Sequence, residues 1–214
     1  MYKLAIFDMD GTILDTLTDL ASAINHALET CGFPARTVDE VRMFVGNGIL
    51  KLVERAVPAG STQEEKDRVK AAFDAYYQEH CLDETRPYAG IVDVIRDLRS
   101  AGVKTACVSN KPDYGVQSLC DRFFPGLFDH AVGMKPGMAV KRAPDAVYAV
   151  FDALRTEASE AVYIGDSDVD LMTAKNAGTD CISVLWGFRD KAFLTEHGAT
   201  VFAEKPEELL TICL

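Results

Sequence analysis

The chain has no CxxC pair, no run of basic residues and no internal repeat. It also has no apolar stretch approaching the roughly 18 residues that a bilayer-spanning helix needs. Its six cysteines (Cys31, Cys81, Cys107, Cys120, Cys181 and Cys213) are scattered, and Cys107 and Cys181 fall inside apolar, strand-like runs. That pattern predicts buried, reduced thiols rather than a disulfide framework. The N-terminal MYKLAIFDMDGT lacks a basic segment backed by a long apolar one, so no signal peptide is expected and the expected location is cytoplasmic. Basic charge is scarce: 22 Lys and Arg stand against 33 Asp and Glu, for a formal charge of −11. A protein that reads nucleic acid by its phosphates needs a Lys/Arg-rich face, which this chain does not offer.

What is present is enough apolar material for a real core: 214 residues, 48% hydrophobic. Lys3–Phe7 is a short apolar run that meets Asp8 at once, the pattern of a buried strand ending in a polar loop. A helical stretch follows. Leu17, Leu20, Ala21, Ile24 and Leu28 recur at helical spacing until Gly32 and Pro34. Thr37 with Glu40 and Thr62 with Glu65 read as capping boxes opening two further helices, to Phe44 and to about Cys81. Between them, Gly46 and Gly48 break the chain before a helix marked by Ile49, Leu52, Val53 and Ala56.

From Arg86 strands and helices alternate. Strands are predicted at Val103–Val108, Phe128–Val132, Ala161–Ile164, Cys181–Leu185 and Thr200–Phe202, and helices at 91–98, 112–124, 144–154, 169–177 and from Pro206. Alternation implies a parallel sheet covered on both faces. The expected fold class is therefore α/β, a doubly wound parallel sheet with a Rossmann-like core (1–14 and 85–214), carrying an inserted helical cap at 15–84.

In an open parallel sheet, ligands bind beyond the carboxyl ends of the strands. Those ends carry Asp8-Met9-Asp10-Gly11-Thr12, Ser109-Asn110, Gly165-Asp166-Ser167-Asp168-Val169-Asp170 and, in the loop after the third strand, Lys141. Crowded carboxylates repel, and a hard cation such as Mg²⁺, which takes carboxylate and phosphate oxygens, relieves them. Asp8 and Asp10, two apart, point to one side of an extended backbone, so one can attack and the other can trade a proton. Gly11 frees the turn, and Thr12 is expected to orient Asp10 by a hydrogen bond.

The segments DMDGTILDT, Ser109-Asn110, Lys141 with Pro144-Asp145, and GDSDVD closely resemble the four motifs of the haloacid dehalogenase superfamily, over essentially the whole chain. The resemblance implies a Mg²⁺-dependent phosphatase. It makes Asp8 the nucleophile, Asp10 the acid/base, Ser109 and Lys141 the phosphoryl binders, and Asp166 supported by Asp170 the completion of a metal site that also uses Asp8 and Asp10. Asp168 occupies a variable position. Thr12 and Asn110 are expected at the substrate. Dehalogenation needs no second Asp, so Asp10 favours phosphoryl transfer. The third motif departs from the usual Lys-Pro-x-Pro-Asp, which leaves Lys135 as a rival to Lys141.

The segment VRMFVGNGILKLVERAV resembles the phosphoglycolate phosphatase branch. That resemblance implies a cap loop at Gly46, Asn47 and Gly48 facing the site, with Arg42, Lys51 or Arg55 available to a substrate carboxylate. 2-Phosphoglycolate is the expected substrate. A pyrophosphatase, a sugar-phosphate phosphatase, a phosphoglucomutase-like isomerase and a non-enzymatic phospho-acceptor module are the alternatives. The expected partner is a small phosphorylated metabolite, with no nucleic acid and no membrane, for a monomer or homodimer.

Overall fold

A computed structural model describes all residues, 1–214. The chain divides into two compact units, Met1–Leu14 with Pro87–Leu214, and Asp15–Arg86.

The elements run β1 (Leu4–Phe7), β2 (Leu14–Asp15), α1 (Leu17–Thr30), α2 (Val38–Phe44), α3 (Ile49–Ala56), α4 (Gln63–His80), β3 (Arg86–Pro87), α5 (Ile91–Ser100), β4 (Lys104–Pro112) and α6 (Asp113–Phe123). They continue with β5 (His130–Met134), α7 (Asp145–Leu154), β6 (Ala161–Gly165), α8 (Asp168–Ala177), β7 (Asp180–Val184), α9 (Lys191–Glu196), β8 (Phe202–Ala203) and α10 (Glu208–Cys213).

The larger unit is built on a six-stranded sheet of order β5-β4-β1-β6-β7-β8. All its pairings are parallel. β1 is buried along its whole length, as a strand covered on both faces must be. Its alternate side chains divide between two cores. Ala5 and Phe7 join Ile91, Val94 and Ile95 of α5, Val116 and Leu119 of α6, and Leu209 of α10. Leu4 and Ile6 join Ala146, Val147 and Val150 of α7, and Ala174 and Ala177 of α8. The chain winds outward from β1 through β4 to β5, then crosses back to β6 on the other side of β1, so the strand order reverses there. The crevice above such a reversal is where open α/β sheets hold ligands. Phe7 is level with Cys107 on one side and Ile164 on the other, which brings the residues after all three to one rim.

Residues 17–80 form a helical unit in which α1 packs on α4 and α2 and α3 fill in beside them. Both capping boxes are made: the Thr37 and Thr62 hydroxyls accept from the Glu40 and Glu65 N–H groups, and each glutamate accepts from the cap N–H in return. Asp19, buried in the first turn of α1, accepts from the Glu84 N–H at 3.0 Å, the Thr85 N–H at 2.9 Å and the Thr85 hydroxyl at 2.8 Å. It ties the two ends of this unit together. Asp19→Ala strands these buried donors, so it should cost about 2–4 kcal/mol of stability, read as a fall in the urea midpoint at unchanged slope.

Three features differ from the sequence expectation. The strand expected to stop at Val108 runs on to Pro112, with a shift in its pairing to β5 between Val108 and Pro112. α9 was not expected, and neither were the two-residue strands β2 and β3, which pair with each other in a separate small sheet. All six cysteines are free thiols, and no helix is long and apolar enough to cross a membrane.

Candidate active site

Asp8 leaves β1 directly into a tight turn. The Thr12, Ile13 and Leu14 N–H groups all point at the Met9 carbonyl, at 3.3, 3.0 and 3.0 Å. Gly11 takes φ +84°, and a Cβ there would sit 2.8 Å from Asp166 Cγ. Only glycine satisfies both the backbone and the close approach. Asp8 is buried, with one carboxylate oxygen 2.7 Å from Lys141 Nζ and 2.7 Å from the Met9 N–H.

Lys141 is 3% exposed and also reaches Asp170 Oδ1 at 2.8 Å and the Tyr163 hydroxyl at 3.2 Å. Its backbone is held by Asn110, which accepts from the Lys141 N–H at 2.8 Å and turns its amide nitrogen to the Lys141 carbonyl. Lys135 is instead half-exposed and paired with Asp113. Of the two rival lysines, only Lys141 meets Asp8.

Asp166 comes from the β6–α8 turn and Asp170 from the first turn of α8. Gly165 makes room for Asp170, because a Cβ there would lie 2.6 Å from Asp170 Oδ2. That oxygen accepts from the Ser167 hydroxyl at 2.6 Å. Asp166 Oδ2 accepts from the Phe188 N–H at 2.6 Å, and a Cβ on Gly187 would fall 2.6 Å from the same oxygen. Ser109 is buried, and its oxygen accepts from the Lys111 N–H at 3.1 Å. A hydroxyl donates one hydrogen bond while accepting others, so Ser109 retains its proton for a further acceptor.

Asp8, Asp166 and Asp170 each bring a carboxylate oxygen within 4.8 Å of the others, and all three are buried. Burial, then Asp170 and Asp166, push Asp8 well above the usual carboxylate range, with Lys141 opposing them. Burial alone would lower Lys141, but Asp170 and Asp8 hold it well above its ordinary value, so it stays an ammonium. One ammonium among three carboxylates leaves an excess of negative charge, and on its own the cluster retains a proton. Such a set of hard oxygen donors, short of positive charge and backed by two glycines that bring backbone against Asp166, fits a hard divalent cation.

Burial, then Asp170, raises Asp166 to about 7. A folded-state pKa above the ordinary 3.8 means that the folded protein holds the proton longer than the unfolded chain does. Stability tied to Asp166 is therefore complete below about pH 4 and lost as pH rises through about 7, by up to about 4 kcal/mol. Metal-free protein should accordingly melt lower at pH 8 than at pH 5.5, Asp166→Asn should flatten that slope, and added Mg²⁺ should raise Tm more at pH 8.

Several expected site residues have partners that the sequence did not indicate. Thr12 is fully buried and its hydroxyl has no hydrogen-bond partner, so it does not orient Asp10. Its carbonyl instead accepts from the Trp186 indole at 3.0 Å, which braces the turn. Asn110 positions Lys141. Asp168 pairs with Arg142 at the surface, away from the carboxylate cluster. The Asp10 carboxylate is not in that cluster either; it pairs with Lys111 Nζ at 3.2 Å. In the helical unit, Gly46 and Gly48 take φ +110° and +82°, and Asn47 accepts from Arg55 at 2.9 Å. Arg55 also caps the Phe44 carbonyl at 2.7 Å. The guanidinium expected to be available to a carboxylate is thus holding its own turn. Lys51 pairs with Glu54, and Arg42 lies 3.8 Å from Asp39.

Sequence reasoning missed Lys111, Tyr163 and the Gly187-Phe188 backbone. A glycine just past a strand end, at Gly187, was the available signal for the last.

Comparison with known proteins agrees with this geometry. Residues 5–184 match the haloacid dehalogenase-like hydrolase family. Phosphoglycolate phosphatase 1 of Pseudomonas aeruginosa is 32% identical over 97% of this chain and 78% of its own. A crystal structure from Lactobacillus delbrueckii subsp. bulgaricus, of a protein provisionally named phosphoglycolate phosphatase, superposes with a TM-score of 0.96 at 42% identity, over 100% of this chain and 98% of that one. CbbY from Rhodobacter sphaeroides, solved in complex with phosphate, gives 0.74 at 26% identity, over 98% and 96%. The chain belongs to the haloacid dehalogenase-like hydrolases and is a phosphatase, a phosphoric monoester hydrolase, of that family.

Proposed function

We propose that the chain hydrolyses a small organic phosphate monoester through an aspartyl-phosphate on Asp8, with 2-phosphoglycolate as substrate and glycolate and phosphate as products. The observation that carries the reading is the buried Asp8 carboxylate at the end of β1, 2.7 Å from the Lys141 ammonium and clustered with Asp166 and Asp170.

An Asp8 oxygen attacks phosphorus as the bond to the leaving oxygen breaks, and Asp10 gives its proton to that oxygen. Asp10 then takes a proton from water as the water oxygen bonds to phosphorus and the Asp8–phosphorus bond breaks. Lys141 and the Ser109 hydroxyl supply positive charge and a donor to the phosphoryl oxygens. Asp8, Asp166 and Asp170, with the Asp10 carbonyl, would hold Mg²⁺. When bound, this ion neutralises charge on the transferring phosphoryl group.

The substrate assignment follows the P. aeruginosa and L. delbrueckii proteins. Phosphate release from a panel of phosphate esters, with Mg²⁺ or with EDTA, tests it. 2-Phosphoglycolate should give the highest kcat/KM, and EDTA should abolish turnover. A higher value for a sugar phosphate or pyrophosphate would overturn the substrate, and full activity in EDTA would overturn the metal.

A further inference from the structure

Lys111 is a buried ammonium at the rim that the proposed reaction does not use. Its side chain is 5% exposed and its Nζ lies 3.2 Å from Asp10 Oδ1. Taking an ammonium out of water costs several kcal/mol unless a well-placed partner offsets it.

Three local features fix Lys111 in place. Its N–H donates to Ser109. Gly133 lets β5 approach closely, since a Cβ there would be 2.8 Å from both the Lys111 carbonyl and the Asp113 nitrogen. Gly115 stands in the first turn of α6, where it forgoes part of the roughly 1 kcal/mol that alanine gains over glycine in a helix interior. A Cβ on Gly115 would come to 3.3 Å from Lys111 Cδ and 3.4 Å from Cγ, so the lysine stem lies along the gap that this glycine leaves.

We propose that Lys111 is a positioning residue that holds the Asp10 carboxylate in the orientation from which it exchanges protons with the leaving group and with water. The two carboxylates of Asp8-Met9-Asp10 then each have their own ammonium, Lys141 for Asp8 and Lys111 for Asp10. Lys111 keeps its protons throughout. An acid/base already fixed before the substrate arrives needs no reorganisation during the reaction, and misplacing such a group by about 1 Å costs on the order of 10² in rate. The inference rests on the acid/base role proposed for Asp10.

Rapid-quench measurement of phosphoenzyme formation and hydrolysis tests it. Wild type, Lys111→Met, Asp10→Asn and the double variant are compared. The substrates are the best alkyl phosphate of the panel and p-nitrophenyl phosphate, whose leaving group needs no proton. Lys111→Met should slow formation from the alkyl ester, and hydrolysis of the phosphoenzyme, by about 10- to 100-fold. It should leave formation from p-nitrophenyl phosphate within about twofold of wild type, and cause no further loss in the Asp10→Asn background. Equal slowing with both substrates, or a further loss on top of Asp10→Asn, would overturn the proposal. Near-normal turnover by Asp10→Asn would instead remove the reaction itself.

Gly115→Ala is a second probe, because it improves the helix while crowding the Lys111 stem. Its Tm should be no lower than wild type, with formation from the alkyl ester slowed a few-fold. If Lys111→Met does not fold, a full rate in Gly115→Ala overturns the proposal.

Discussion

Asp8→Asn should lower kcat by about 10⁴–10⁶ and leave no phosphoenzyme to be trapped, while the metal-free protein melts no lower than wild type. The two halves of this expectation have one cause. Asp8 carries the attacking oxygen, and it is also one of three buried carboxylates that share the Lys141 ammonium. The amide has nearly the shape of the acid, accepts from the Met9 N–H as Asp8 does, and removes one negative charge from a cluster that has too many. Burial and the repulsion from Asp170 that push Asp8 up vanish with the charge, and Lys141 keeps Asp170 at 2.8 Å. An inactive variant that also unfolded would be uninformative. An inactive one with undiminished Tm assigns the loss to chemistry. Turnover near wild type would overturn Asp8 as nucleophile, and ³²P incorporation into Asp8→Asn would place the phospho-acceptor elsewhere.

What could be read from the sequence was local. The capping boxes at Thr37 and Thr62 each lie within four residues, so the pattern alone set where α2 and α4 begin. The parallel sheet followed from alternation, and its rim from polar residues set directly after apolar runs. Asp8, Ser109 and Asp166 stand out because each follows an apolar strand-like run, whereas Lys141, in a loop, is picked out only by the family resemblance that sets Pro144-Asp145 after it.

What could not be read was decided by pairing across long separations. Lys111 looks like an ordinary lysine after Ser109-Asn110. It lies beside Asp10 on the stretch where β4 continues past Val108 with a shifted register to β5, and Pro112 concealed that continuation by reading as a helix start. The Thr12 hydroxyl appeared close enough to serve Asp10, but the turn gathers three N–H groups onto the Met9 carbonyl and carries the hydroxyl inward. Arg55 seemed available to a ligand because no sequence pattern shows that the Asn47 amide and the Phe44 carbonyl, eight and eleven residues back, take its donors.

Lys141→Met should be the most damaging of these changes to stability and should cost rate as well, and the two effects should separate in a second variant. Lys141 is the one residue that meets Asp8, Asp170 and Tyr163 together. Removing one partner of a buried ion pair costs about 3–5 kcal/mol, because the charge left behind stays desolvated and uncompensated. Here two carboxylates are left. The rate should fall on the order of 10³ or more, as a buried cation that faces developing phosphoryl charge is lost. Adding Asp170→Asn to Lys141→Met removes one of the stranded charges, so the double variant should recover much of the lost Tm yet regain none of the lost kcat. Mg²⁺ should stabilise the single variant more than wild type at pH 8, because the cation then meets carboxylates that no ammonium has neutralised. Differential scanning calorimetry with and without Mg²⁺, beside phosphate release, reads all of these. Recovery of activity along with stability in the double variant would mean that Lys141 acts only by balancing charge. Unrecovered stability would mean that its contribution comes from the ammonium's contact with Tyr163, 5.7 Å from the ring centroid, not from the pairing with Asp170.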